Sequence, residues 1–416
     1  MLIIILKILV PFLVIFNLIP LLIWVERKGS AFIQDRHGPN RASIKGIRLG
    51  GLLHPIADVV KLLTKEDIIP SHVNKPFFIM APWLTLSIAC VTFAVIPFAA
   101  PLTINGELFS LQAANINAGI LYILAMASLG VFGVMLAGWA SNNKFALLGG
   151  IRSSAQMLSY EVSMGLSLMS ILLVSGSLEL GDIAVNQTAY PWHWNIIRQP
   201  LAFFLFTAAA FAETNRNPFD LPEGESEIVA GVHVEYSSMK FAMFFMAEYA
   251  HIIIASALIS ILFFGGWQVP FLPTDTLRSV ADIGLFFVIL IHGFAFLVLG
   301  MFLVSKYKKG NYGDKRDYEV LVFGVPFILL GIVLCVLGFG FGVQPLGDVG
   351  QQIFAAFIQF AFLMIKILFF CWFFIWVRWT LPRFRYDQLM HLGWKVMLPL
   401  SIANIVVTAV VLYLLG

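Results

Sequence analysis

Uninterrupted apolar stretches recur along the whole chain, at 2–25, 76–99, 119–140, 157–178, 198–212, 240–264, 283–305, 320–343, 353–377 and 396–415. A helix needs ~20 residues to cross ~30 Å of hydrocarbon. In lipid each backbone amide and carbonyl must be satisfied without water, which a helix does within its own segment. A chain patterned this way is expected to be an all-α, polytopic transmembrane helical bundle of about ten spans, the fifth of them short. Composition supports this. Apolar residues make up 60% and charged residues 12%, against roughly 25% charged in a soluble domain. So little polar surface cannot cover a soluble core. A secreted disulfide scaffold, a free nucleic-acid-binding domain and a soluble enzyme are excluded.

The first stretch is too long for a signal-peptide core, and no small-residue cleavage site follows it, so it reads as a retained helix. No internal repeat of the kind found in many secondary transporters appears, so 1–416 is taken as a single membrane domain. Cys90, Cys335 and Cys371 lie in apolar stretches without metal-ligand spacing. They read as buried small hydrophobes, and no metal or iron–sulfur site is expected on this chain.

Basic residues orient the spans. Of the 26 lysines and arginines, 22 fall in the segments 26–75, 141–156, 213–240, 306–319 and 378–395. These are alternate loops, so they share one side, which the positive-inside rule makes cytoplasmic. Both termini are then on the outer side. Tyr190, Trp192 and Trp194 lie on that outer side, where an interfacial aromatic belt would sit.

Two cytoplasmic segments do not read as ordinary loops. In 26–75, the apolar residues Leu49, Leu52, Leu53, Ile56, Val59, Val60 and Leu63 fall within an arc of about 120° on a helical wheel. The opposite face carries His54, Asp58, Lys61 and Lys65. An amphipathic helix over 49–65 is therefore expected, either as an interfacial anchor or with its charged face toward a cavity or partner. Upstream, Glu26, Arg27, Lys28, Arg36 and Arg41 crowd the end of the first span. The second segment, 213–239, threads Glu213, Asp220, Glu223, Glu225, Glu227 and Glu235 among apolar residues. Carboxylates that are partly buried and close together share protons and can form a relay. The alternative is a solvated acidic loop that docks a basic partner.

Within the spans, charge is sparse: Glu161, Glu248, Lys366 and Lys7. A charge at the bilayer centre costs upward of ~2.5 kcal/mol. Lys7 can snorkel to the interface, whereas Glu161 and Glu248 extend the acidic cluster inward. Glu248 and His251 form a single Glu-x-x-His pair. A carboxylate di-metal site needs two, so His251, like His292, reads as a packing or hydrogen-bonding residue. No nucleophile–base pair, P-loop or dinucleotide fingerprint is present, so no self-contained active site is expected.

The string AETNRNPFDLPEGESEIVAGVHVEYS (Ala212–Ser237), running into MAEYAHIIIASALISILFFGGW (Met246–Trp267), resembles the H-type membrane subunits of bacterial NADH–quinone oxidoreductase. In mitochondria the corresponding component of respiratory complex I is NADH dehydrogenase subunit 1. WVERKGSAFIQDRHGPN (Trp24–Asn40) with HPIADVVKLLTKE (His54–Glu66), RSSAQMLSYEVSMGL (Arg152–Leu166) and LPRFRYDQLMHLGWKVMLPL (Leu381–Leu400) resemble the same family in the same order. The resemblance covers 1–267 and 350–416.

It implies a hinge subunit that builds much of a tunnel for quinone, ubiquinone or menaquinone, and favours a charged helix face that lines a polar passage. It implies that Glu26, Arg27, Arg36, Asp58, Lys61, Arg216 and Phe219 lie around the tunnel or its rim. It likewise implies an acidic proton path through Glu161, Glu213, Asp220, Glu223, Glu225, Glu227, Glu235 and Glu248. No cofactor would be held covalently; FMN and iron–sulfur clusters would belong to partner subunits. The implied partners are quinone-site hydrophilic subunits, small and antiporter-like membrane subunits, and lipid of the bacterial inner membrane, with no nucleic acid. The sequence departs from the family pattern of eight spans at 268–349, which supplies two more around a basic 306–319 loop. An equivalent component of a ferredoxin- or hydrogenase-fed relative is the nearest alternative, and a stand-alone ion transporter a more distant one.

Overall fold

The computed structural model describes the chain apart from residues 1, 105, 222, 223, 309–315, 344 and 416. Its principal helices are α1 (Leu2–Ile33), α2 (Leu53–Thr64), α3 (Lys75–Thr92), α4 (Gly119–Ala140), α5 (Lys144–Ser175) and α6 (Pro200–Glu213). They continue as α7 (Ser238–Phe263), α8 (Ala281–Lys308), α9 (Arg316–Phe341), α10 (Gly347–Thr380) and α11 (Tyr386–Leu415), which contains a single π-helical turn at Leu392–Met397. Among the described residues nine helices are long and apolar enough to cross a membrane, and α6 is a shorter apolar tenth. The chain is an integral membrane protein.

Several helices overrun the apolar stretches that announce them. α5 starts at Lys144, where Asn143 caps it by accepting from the Phe145 amide at 2.9 Å, and it ends at Gly176 in the left-handed region. Gly149, Gly150, Ser153 and Ser154 dilute hydropathy there without breaking the helix, since all are buried against neighbours. Arg152 therefore lies on a helix, where a loop was expected. α1 likewise continues to Ile33, about two turns beyond the apolar run, so Glu26 and Arg27 lie on the helix.

α7 is the central helix, with 72% of its apolar window buried, against 17% for α8 and 11% for α9. It packs among α3, α6 and α10. The core around it includes Tyr160, Phe206, Phe263 and Trp267, and Phe211 of α6 stacks on Phe374 of α10 at 4.1 Å between ring centroids. On the side expected to be outer, a two-stranded antiparallel hairpin pairs Leu102–Ile104 with Glu107–Phe109. Its Thr103 amide is held by Gln352 of α10 at 2.7 Å.

Candidate functional site

The predicted amphipathic segment forms a tight turn at Leu49–Gly51 followed by α2. Its apolar side chains Leu52, Ile56, Val59, Val60 and Leu63 are all exposed on the isolated chain, as an interfacial helix requires. On its polar face His54 and Asp58 turn toward the protein, while Lys61 stays exposed. The His54 ring nitrogen accepts from the Arg41 amide at 2.9 Å and the Ala42 amide at 3.1 Å. Asp58 pairs with Arg27 of α1 and, at 3.2 Å, with Lys61. Burial alone would raise the Asp58 carboxyl, but hydrogen bonds and charge from Arg27 and Lys61 outweigh it and hold it below the ordinary range. Gly51 has a positive φ of +99°, and a Cβ there would collide with the Pro39 carbonyl. The turn thereby seats the start of α2 against the 38–41 segment.

One residue before Arg27, Glu26 enters a buried junction. Arg378, at the end of α10, pairs with one of its carboxylate oxygens, and the Tyr249 hydroxyl donates to the other at 2.7 Å. Arg216 lies 3.5 Å from Glu26 through Nη1 and 2.6 Å from Glu248 through Nε. Its guanidinium carbon sits 4.3 Å from the Tyr249 ring centroid, a cation–π position. Burial would push the Arg216 pKa down, but Glu248, with Tyr249 and Glu26, pushes it above its usual value, so it stays charged. Gln156 of α5 fixes the turn that delivers Arg216: its Nε2 donates to the Ala212 and Phe219 carbonyls at 2.6 and 2.8 Å. Phe219 is buried between Tyr160 and Phe384, each 5.5 Å away between centroids.

Beyond this junction two cavities meet inside the bundle. The first carries the more polar side chains, Thr85, Asn215, His233 and Glu248 together with Glu213, Thr214 and His251, set among apolar ones such as Val134, Met157 and Phe244. The second is apolar, walled by residues such as Ile123, Leu168 and Phe206, and shares Glu213, Thr214 and His251 with the first. Glu161 of α5 accepts a hydrogen bond from Ser128 of α4.

Other predicted residues are placed elsewhere. Asp220 pairs with Arg383 at 2.8 Å, Glu227 with Arg152 at 2.6 Å, and Glu235 accepts from Asn143 at 2.7 Å with His72 at 3.7 Å. These three carboxylates are thus each tied to a basic or amide side chain. Arg36 is exposed and bonds Gln34 at 2.8 Å. Glu223 and the side chain of Glu225 lie outside the described residues, as do residues 309–315 of the basic 306–319 loop. Lys366 donates to the carbonyls of Phe264, Gly266 and Gln268 at 2.8–2.9 Å. It closes the end of α7 and does not join the acidic cluster. Lys7 sits 6.0 Å from the Phe109 ring centroid. Tyr249 and Arg378, which complete the Glu26 junction, were not singled out from sequence. An arginine at the very end of an apolar stretch was the available signal for the second.

The sequence pattern of the NADH dehydrogenase family matches residues 5–409. Among curated proteins, an H-type subunit of NADH-quinone oxidoreductase from Solibacter usitatus is 45% identical over 389 residues, covering 92% of this chain and 90% of the relative. Its counterpart from Cytophaga hutchinsonii is 43% identical over 385 residues, covering 92% and 89%. That of Geobacter metallireducens is 41% identical over 408 residues, covering 98% and 96%, a span that takes in α8 and α9.

Proposed function

Because the chain belongs to the NADH dehydrogenase family, as an H-type membrane subunit of NADH–quinone oxidoreductase, we propose that it walls the quinone passage and couples quinone reduction to proton movement. The observation that carries this reading is Arg216, which contacts Glu26 and Glu248 at once. The charged rim made by α1 and α2 and the polar cavity inside the bundle are thereby joined in one electrostatic network.

Glu26, Arg27, Arg36, Asp58, Lys61, Arg216 and Phe219 belong to the passage or its rim. Glu161, Glu213 and Glu248 carry protons inward, and Asp220, Glu223, Glu225, Glu227 and Glu235 extend the acidic path on the cytoplasmic side. A quinone that accepts two electrons takes up two protons, and the negative charge it develops raises the proton affinity of nearby carboxylates. Arg216 is placed to pass that change on. It contacts Glu26 and Glu248 at once, so any change in its hold on one carboxylate alters its hold on the other. Electrons arrive from FMN and iron–sulfur clusters held by hydrophilic partner subunits, and antiporter-like membrane subunits receive the proton signal. The basic segments face the cytoplasm and both termini the outer side of the bacterial inner membrane, as the lysine and arginine distribution supports.

The test is photo-crosslinking of the intact complex with an azido-quinone, with and without excess unlabelled quinone, followed by peptide mapping. Competable labelling within 24–66 or 213–248 is expected. No competable label on this chain in a turning-over complex would overturn the tunnel assignment.

A further inference from the structure

The imidazole of His251 stands where the two cavities join, and that position is not one a packing residue requires. On α7, Phe244, Glu248 and His251 line the polar cavity, while His251, Ile254, Ala255, Leu258 and Leu262 line the apolar one. The three-residue step from Glu248 puts both side chains on one helix face. Across the gap, Gly130 of α4 has no side chain, and even a Cβ built there would stay 3.9 Å from the imidazole. From α6 and the turn after it, Glu213 and Thr214 reach the same junction. The imidazole lies inside the bundle, lines both cavities and makes no hydrogen bond to another described residue, so its ring nitrogens face whatever occupies them.

We propose that His251 is a relay residue that passes protons between Glu213 and Glu248. This rests on the proton-coupling reading above and adds to it the group that spans the two carboxylates. A neutral imidazole has one donor and one acceptor nitrogen. Protonated Glu213 gives its proton to the acceptor nitrogen, leaving a carboxylate and an imidazolium. The imidazolium releases its other ring proton toward the Glu248 carboxylate, and ring reorientation or tautomer exchange restores the starting state. One proton enters and one leaves, with no net change on the ring. The polar cavity has room for water to close the remaining gaps. The titratable groups that face the imidazole are Glu213 on α6, Glu248 on α7 and His233 in the preceding segment. Arg216 holds Glu248, and Glu161, close enough to Glu213 for their charges to interact, accepts from Ser128.

The experiment uses the whole complex in native membranes, with proton translocation and quinone reduction measured together across pH. His251→Gln keeps a hydrogen-bonding side chain of similar reach but cannot carry a proton, and His251→Leu fills the space alone. Both are expected to slow coupled turnover by about 10²-fold, the low end for loss of a positioned proton-transfer group, and to alter the pH profile alike. Glu213→Gln is run beside them. If Glu213→Gln is impaired while His251→Gln translocates protons like wild type with an unchanged pH profile, the His251 assignment is wrong and the carboxylate path stands. If Glu213→Gln itself behaves as wild type, the relay reading fails with it. Should His251→Leu not assemble, the glutamine variant decides the question alone.

Discussion

Arg216 is 4% exposed, and a buried cation of this kind is tolerated only because carboxylates and an aromatic face replace its water. It links Glu26 of α1 to Glu248, which lines the cavity. Asp58 is the surface counterpart, paired with Arg27 and Lys61. Its carboxyl is held below the ordinary value of about 3.9 because Arg27 and Lys61 outweigh its partial burial. A carboxylate whose pKa is depressed on folding adds stability that is complete above the unfolded value and disappears as pH falls through the folded one. The seating of α2 on α1 should therefore loosen as pH drops below about 4. Hydrogen exchange over Leu53–Thr64, corrected for the intrinsic rate, is expected to accelerate across that range in the wild-type chain. In Asp58→Asn it should be fast at neutral pH and nearly flat. A wild-type response no different from Asp58→Asn would show that the pair does not hold the helix.

At the scale of elements, the ends of helices explain more than their middles. α7 ends inside the protein, with the carbonyls of Phe264, Gly266 and Gln268 turned inward, and Lys366 of α10 satisfies all three. A cation at a helix C-terminus is favoured by the helix dipole as well as by its hydrogen bonds. Lys366→Met should leave these carbonyls unpaired at a cost of about 3 kcal/mol. Exchange of the amides around residues 262–268 should then rise by about 10²-fold, with quinone reduction by the assembled complex largely retained. Unchanged exchange would remove Lys366 from this capping role. The same view accounts for α5. Its cap at Asn143 begins the helix thirteen residues before the apolar run expected at 157–178, and the overhang brings Arg152 to Glu227 and Gln156 to the Arg216 turn.

The whole molecule divides into a densely packed body around α7 and a peripheral helical pair, α8 and α9. The pair is joined through glycines. A Cβ at Gly300 would lie 2.7 Å from the Gly324 carbonyl, and one at Gly331 would lie 2.7 Å from the Leu297 amide. The pair touches the body sparingly, for example where Asp282 accepts from the Leu346 amide at 3.0 Å and Glu319 from the Arg48 amide at 2.6 Å. Gly300→Ile should force the two helices apart at about 1–3 kcal/mol. Hydrogen exchange in Ala281–Lys308 and Arg316–Phe341 is expected to rise, while quinone reduction stays near wild type because the junction and cavities lie elsewhere. A loss of turnover equal to that of Glu213→Gln would instead tie the pair to the coupling path.

Apolar run length alone specified an all-helical membrane protein, because lipid leaves the backbone no other way to satisfy its polar groups in a chain of this pattern. The 3.6-residue period specified α2 and its two faces. The acidic string and the charges within spans marked out Glu161, Glu213 and Glu248 as chemically unusual. Which carboxylate meets which partner was not legible, since those partners come from far along the chain. Arg378 reaches Glu26 across 352 positions, and Arg383 reaches Asp220 across 163. Only tertiary packing decided that Glu227 and Glu235 are tied to Arg152 and Asn143, that Lys366 caps a helix, and that Arg216 bridges Glu26 and Glu248. A period or composition records what a residue avoids, which is water or lipid, whereas a specific ion pair depends on the crossing of helices that no local pattern encodes.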